Sequence, residues 1–352
     1  MGEGVAAHRS DVDEGSMMWQ PYGALTTDGG GLAEKVGGEA QERQRGESSR
    51  QLLLLCVQIF CMAAVAGYCL YAITIDPVAV GFFCDDDSIR FPLLKETVPI
   101  AEALLIVILL PLVFMLLVDW LAVREFRDYL VSSTPVDLGC CRVPALMRAY
   151  YRSIGGFTFA MVCAYAVTIT GKICIGRLRP HFIAACLPDW AQIQCSNSEG
   201  FLYIDHFQCT SGNTAAIKEA RMSFPSGHSS SAMCAMVYLV LFLQSRLVWL
   251  NDSAAPARQL RPPVSSSTKV TRALWRTLRG LCPFVQLLAF ALAFFIGLSR
   301  IRDRYHHPSD VLCGFCVGFL AAIYAAFYIA GFGSCRRPEE YGVQKSGVDL
   351  AV

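Results

Sequence analysis

The chain has 352 residues, of which 54% are apolar and only 17% charged, and its mean hydropathy is +0.42. Soluble domains carry about 45–50% apolar and about 25% charged residues, so this composition excludes an ordinary soluble protein and points to the membrane. The 30 Lys and Arg against 29 Asp and Glu leave a net charge of +1, which excludes a whole-chain field that would gather nucleic acid; electrostatic attraction has to be local.

In chain order, residues 1–50 are rich in Gly, Glu, Gln, Arg and Ser and hold no apolar run long enough to bury. They read as a solvated, disordered cytoplasmic tail with no fold. They also lack the basic start and short apolar core of a secretory signal, so the first long apolar run reads as an uncleaved anchor. A membrane-crossing helix needs about 20 mostly apolar residues. Six segments meet or approach that length: Leu52–Ile75, Val98–Leu121, Ile154–Gly171, Ser229–Leu243, Leu281–Leu298 and Val311–Ala330. The expected fold is therefore all-α, a six-helix membrane domain over 51–333 followed by a cytoplasmic tail, 334–352. Glu102 interrupts the second of these spans near one end. The connection 251–280, with Pro256, Pro262, Pro263 and Ser265–Ser267, reads as a flexible loop.

Lys and Arg near span ends mark the cytoplasmic side. Arg43, Arg45 and Arg50, then Arg124, Arg127, Arg142 and Arg148, then Arg258, Arg261, Lys269, Arg272, Arg276 and Arg279 put both termini there. The opposite face carries Asp85–Asp87, as expected, but also Lys172, Arg177, Arg179, Lys218, Arg221, Arg300, Arg302 and Arg304. These cations defy the topology rule and need another explanation. The sequon Asn251-Asp252-Ser253 falls on the cytoplasmic side, and the outer loops contain none.

Three polar patches fall on that outer face. Lys172 and Arg179 are two helical turns apart, ~10.5 Å along an axis, so both can face one anion; alone, such a pair also suits an interfacial anchor that snorkels to headgroups. Ser226-Gly227-His228 opens the fourth span. Gly permits close backbone approach, Ser supplies a hydroxyl and free helix-start amides favour anions, while Ser226 also suits a plain N-cap. In the third patch His306 and Asp310 lie four apart, Pro308 suits a first helical turn, and Arg300 offers a charged fork matched to phosphate. An Asp holding one imidazole nitrogen makes the other a better nucleophile or base. The first patch follows the third crossing, the second precedes the fourth and the third follows the fifth, so parity puts all three on one side of the membrane.

These residues resemble a known family. Lys172 through Arg179-Pro180, Pro225-Ser226-Gly227-His228, and Ser299-Arg300 with His306 and Asp310 match the three signatures of the phosphatidic acid phosphatase type 2 superfamily. Gly81-Phe-Phe-Cys84, Gly176-Arg-Leu-Arg-Pro-His181-Phe182, Gly297-Leu-Ser-Arg300 and His306-His-Pro-Ser-Asp310 are similar to its lipid phosphate phosphatase branch. The resemblance covers about residues 50 to 333. It implies that His306 attacks phosphorus, Asp310 orients it, His228 acts as general acid and then base, and Lys172, Arg179, Ser226, Gly227 and Arg300 hold the phosphoryl oxygens. It further implies no metal or other cofactor, and lipid monophosphate substrates on the outer or lumenal side, at the plasma membrane before ER or Golgi. A homo-oligomer is left open. A catalytically inert relative would have lost motif residues, which are all present here; a six-helix transporter would carry charges midway along its spans. Cys56, Cys61, Cys69, Cys163, Cys234, Cys282, Cys313 and Cys316 lie in or beside apolar runs and read as small buried hydrophobes. Cys195 and Cys209 share one outer loop and are expected to pair, while Cys140, Cys141 and Cys335 flank cytoplasmic membrane ends as acylation candidates.

Overall fold

A computed structural model describes residues 29–126, 143–197, 200–252 and 269–333. The chain divides into two units, Met1–Glu47 and Ser48–Val352. The helices are α1 (Gly29–Thr74), α2 (Ile100–Glu125), α3 (Ala145–Ile175), α4 (Phe182–Cys186), α5 (Thr214–Ala220), α6 (Gly227–Leu243), α7 (Lys269–Arg302) and α8 (Pro308–Tyr324). α6 and α8 run on into π-helical turns, Gln244–Trp249 and Ala325–Ile329. Among the described residues the strands are two residues each: β1 (Phe82–Phe83), β2 (Ser196–Asn197), β3 (Gly200–Phe201) and β4 (Tyr203–Ile204). Six helices are long and apolar enough to cross a membrane, so the protein is an all-α, six-span membrane protein. Backbone polar groups in hydrocarbon must be satisfied within the helix, which is why these apolar runs are helical.

The fourth span, Gly227–Asp252, is the hub. In its most apolar stretch 67% of residues are buried, against at most 33% in any other span. Leu109, Val113, Leu287, Leu288 and Leu320 are exposed on the other spans, on surfaces suited to lipid. Lipid tails are as apolar as Leu, so helices associate here by close packing of small residues. Gly314 and Gly318 of α8 are one turn apart. An added Cβ would stand 2.6 Å from the Ser226 carbonyl oxygen at Gly314 and 2.2 Å from the Ser230 carbonyl oxygen at Gly318. In α7, Gly297 makes room for the Phe315 ring. The starts of α6 and α8 thereby come together.

Several boundaries differ from expectation. The fourth span continues past Leu243 to Asp252, taking in Arg246. Its Nε lies 2.8 Å from Oδ1 of fully buried Asp119 in α2, and its Nη2 donates to the Ser153 hydroxyl at 3.2 Å. Glu102 is thus not alone among charges within the spans. A paired Asp and Arg lower each other's desolvation cost, and a hydropathy window counts both only as polar. α7 starts at Lys269, inside the expected loop, and α1 at Gly29, inside the expected tail. Helix propagation from an established span costs little per residue, and Ala33-Glu34-Lys35 and Glu39–Arg45 are mostly good helix formers. Residues 1–28, the tail 334–352, Cys140, Cys141 and Cys335 lie outside the described residues.

A small lobe is built from segments outside the spans. β1 pairs antiparallel with β4, Phe82 opposite Ile204, and β2 with β3. Phe82, Ile89, Leu178, Phe182 and Ala220 form its apolar core. Its disulfides are Cys84–Cys195 and Cys186–Cys209, which corrects the expected Cys195–Cys209 pairing. Counting within one loop overlooked that the β1–β4 pairing brings the first loop, with Cys84, onto it. Pro188 bridges to Cys209, which sets Cys186 beside that cysteine. Peptide mapping without reduction is expected to recover the 84–195 and 186–209 cross-links; a 195–209 peptide would contradict this arrangement.

Candidate active site

The site is built where the end of α3, the start of α6, the end of α7 and the start of α8 meet. α3 ends at Gly176, whose φ of 61° is left-handed and where a Cβ would stand 2.0 Å from the Val78 carbonyl oxygen. Only glycine suits both the angle and the space. Beyond it the chain is tied down: the Arg179 amide donates to the Ala220 carbonyl at 2.8 Å, and the Pro180 carbonyl accepts from the Phe91 amide at 2.9 Å. Lys172, one turn inside α3, lies against Gly227, its Cε 3.9 Å from where a Cβ would be.

Ser226 caps α6. Its hydroxyl accepts from the Ser229 amide at 3.5 Å and from the Ser229 hydroxyl at 3.0 Å. The N-cap and cradle readings are compatible, because both bonds use its lone pairs and leave the O–H to donate elsewhere. The Ser226 amide in turn donates to the Asp310 carbonyl at 3.0 Å, joining the second and third patches through backbone. His307 caps α8 in a reciprocal box with Asp310, and Pro308 occupies the first turn.

The two imidazoles share their cations. His306 lies within electrostatic reach of Arg179 and Lys172, and His228 of Arg300, Lys172 and Arg179. His306 Nδ1 stands 3.7 Å from Asp310 Oδ2, beyond hydrogen-bond length, while His307 Nδ1 is closer to the same oxygen at 3.3 Å. Asp310 is fully buried and much engaged. Oδ1 pairs with Arg177 at 2.6 Å; Oδ2 accepts from the Ser223 hydroxyl at 2.5 Å and the His307 amide at 3.0 Å. Arg177 and Ser223 were missed as site residues: Arg177 was read only among the outer cations, and nothing in the local pattern marks Ser223.

Sequence reasoning also missed the carboxylates. Arg179 pairs with Glu219 at 3.1 Å; Arg300, wholly buried, pairs with Asp303 at 3.0 Å and Glu96 at 3.5 Å. Tyr305 lies 5.6 Å from both guanidiniums, and His181 packs on Tyr305 and bonds the Arg304 carbonyl. Asp303 is itself held by the amide and hydroxyl of Thr97. Glu96 comes from the loop before α2 and Glu219 from α5, so no motif spacing could announce them. Burial raises the Glu96 carboxyl above its usual range, against the pull of Arg300, and burial lowers the Arg179 guanidinium against Glu219 and Glu96.

Among the described residues, three nitrogens buried in this chamber make no hydrogen bond, Arg179 Nε, His228 Nε2 and His306 Nδ1, and Arg300 Nη1 meets only the Glu96 carboxylate, at 3.5 Å. Unsatisfied buried polar groups are costly and rare, and their concentration here marks the chamber as a functional site. Among the described residues no three His, Cys, Asp or Glu side chains converge as metal ligands. Burial pushes the His306 imidazole down to about 3, with the nearby Asp310 carboxylate opposing and the Arg179 and Lys172 charges adding. At neutral pH the ring is uncharged, as a nucleophile requires.

The chain matches the PAP2 superfamily model over residues 154–332. It is 34% identical over 258 residues to phospholipid phosphatase 1 of Rattus norvegicus, covering 73% of this chain and 77% of that one. It is 32% identical over 291 residues to phospholipid phosphatase 2 of Homo sapiens, covering 82% and 87%. No solved structure matches.

The depressed His306 basicity has a consequence for stability. Unfolded, the imidazole takes up its proton near pH 6.5; folded, it resists until about pH 3. Between these values the unfolded state binds more protons, so stability falls with falling pH, by up to about 1.4 kcal/mol per pH unit for this one group. Thermal unfolding in detergent from pH 6.5 to 4 is expected to show a shallower acid loss for His306→Gln than for the native chain. Parallel losses would contradict it.

Proposed function

Because the chain belongs to the PAP2 superfamily and is a multi-pass lipid phosphatase that dephosphorylates lipid phosphates, we propose that it acts on lipid monophosphates through a phosphohistidine at His306, without a metal. The observation that carries this reading is the pair of imidazoles, buried His306 and half-buried His228, around one set of cations. Phosphatidate, lysophosphatidate, ceramide-1-phosphate and sphingosine-1-phosphate are the substrates it fits. A site at helix ends meets a phosphate at headgroup depth while the acyl chains stay in the bilayer.

Phosphoryl transfer needs positioning and neutralisation of the equatorial oxygens more than covalent chemistry. Lys172, Arg179 and Arg300 supply the charge, and the Ser226 hydroxyl and Gly227 amide supply donors at a helix start. His306 Nε2 forms a bond to phosphorus as the phosphorus–oxygen bond to the lipid breaks, and His228 gives its proton to the departing alkoxide. In the second half His228 takes a proton from water, whose oxygen displaces His306 and yields inorganic phosphate. Asp310 steadies the His306 ring from the Nδ1 side and offsets the charge that forms on it.

We place this chemistry on the outer or lumenal face, with both termini cytoplasmic and the plasma membrane as principal site. The basic residues of the even-numbered connections support that orientation. The product would be a neutral lipid able to cross the bilayer.

Phosphate release from lipid monophosphates in detergent micelles with EDTA tests the proposal. The native chain is expected to be active and His306→Ala slower by about 10³-fold or more. Equal rates would remove the nucleophile, and strict dependence on added metal would remove the mechanism.

A further inference from the structure

Arg177 has no part in the chemistry above, yet it touches all three patches. It belongs to the first, five residues beyond Lys172. Its carbonyl accepts from the Ser223 amide at 2.9 Å, at the approach to the second. Its Nη1 reaches the third, 2.6 Å from Asp310 Oδ1 and 2.7 Å from the Ser309 hydroxyl.

The Asp310 carboxylate is consequently clamped at both ends. Arg177 occupies Oδ1, while Ser223 and the His307 amide occupy Oδ2, the oxygen that faces His306 Nδ1. A carboxylate at the N-terminus of a helix can rotate about its side-chain torsions; one held at both oxygens cannot without breaking a charge-assisted bond. A buried carboxylate stripped of its cation is also strongly disfavoured. An anchor that merely snorkels would aim its guanidinium at headgroups, but this one, only 36% exposed, is turned inward onto a wholly buried partner.

We propose that Arg177 is a positioning residue for phosphoryl transfer: with Ser223 it fixes the Asp310 carboxylate so that Oδ2 stays turned toward His306 Nδ1 and leaves Nε2 toward phosphorus. This rests on the phosphatase chemistry proposed above. The charged and titratable groups that face the pair are His307, Lys172 and Cys313 beside Asp310, and Arg179 and Lys172 beside His306.

The test uses the full chain in detergent with EDTA, lysophosphatidate as probe, and kcat and KM measured across pH for the native protein, Arg177→Gln and Arg177→Lys. Arg177→Gln is expected to lower kcat on the order of tenfold to a hundredfold, the range for losing a partner that orients a catalytic imidazole, with KM little changed. The acid limb of kcat is expected to move to higher pH, since removing a nearby cation makes the imidazolium easier to form. Lysine, which restores the charge but not the fork, is expected to recover part of kcat and return the limb. Native kcat and limb in Arg177→Gln would overturn the proposal. So would a rise confined to KM, which would make Arg177 a direct phosphate contact, or a lower kcat with an unmoved limb that lysine fails to rescue, which would make it scaffold. If Arg177→Gln does not fold, Arg177→Lys decides: reduced kcat with the limb in place supports the clamp, and native kcat overturns it. Absence of phosphate release by the native chain would instead defeat the underlying chemistry.

Discussion

The close approach of α8 to α6 is the constraint on which the site depends. Gly314 and Gly318 lie against the backbone of Ser226 and Ser230 at distances that leave no room for a Cβ. Within a membrane no hydrophobic force drives apolar helices together, so such small-residue contacts and interhelical bonds set the geometry. The bond from the Ser226 amide to the Asp310 carbonyl exists only because the two helix starts meet there. His228 and His306, separated by a whole helical hairpin in sequence, then surround one set of cations.

That convergence concentrates charge in a buried place. Lys172, Arg179 and Arg300 would repel one another strongly in a low dielectric without compensation. Glu219, Glu96 and Asp303 provide it, and they do so from segments outside the spans, including α5 and the loop before α2. The cations therefore stand pre-arranged before an anion arrives, which is the condition for electrostatic stabilisation without reorganisation. The same burial keeps His306 uncharged. Stability, protonation and chemistry are thus coupled through one chamber, and the two disulfides of the neighbouring lobe hold its segments to each other.

Much of this was legible in the sequence for simple physical reasons. Span number follows from apolar run length, and parity then assigns the three patches to one face. Lys172 and Arg179, Ser226 to His228, and His306 with Asp310 could be paired because helix periodicity relates residues close in sequence. Contacts between distant segments were not legible. Cys84 meets Cys195, Glu96 meets Arg300 and Arg177 meets Asp310 only after the loops have folded over the bundle. Asp119 and Arg246 were hidden differently: composition shows two polar residues, and only packing shows that they are partners.

In the proposed mechanism the phosphoryl group is transferred twice, to His306 and then to water. Stereochemistry at phosphorus tests this directly, using a lipid thiophosphate made chiral with oxygen isotopes and hydrolysed in isotopically labelled water. Two in-line displacements predict retention of configuration in the released thiophosphate. Inversion would mean that water attacks the substrate in one step, and would contradict the account.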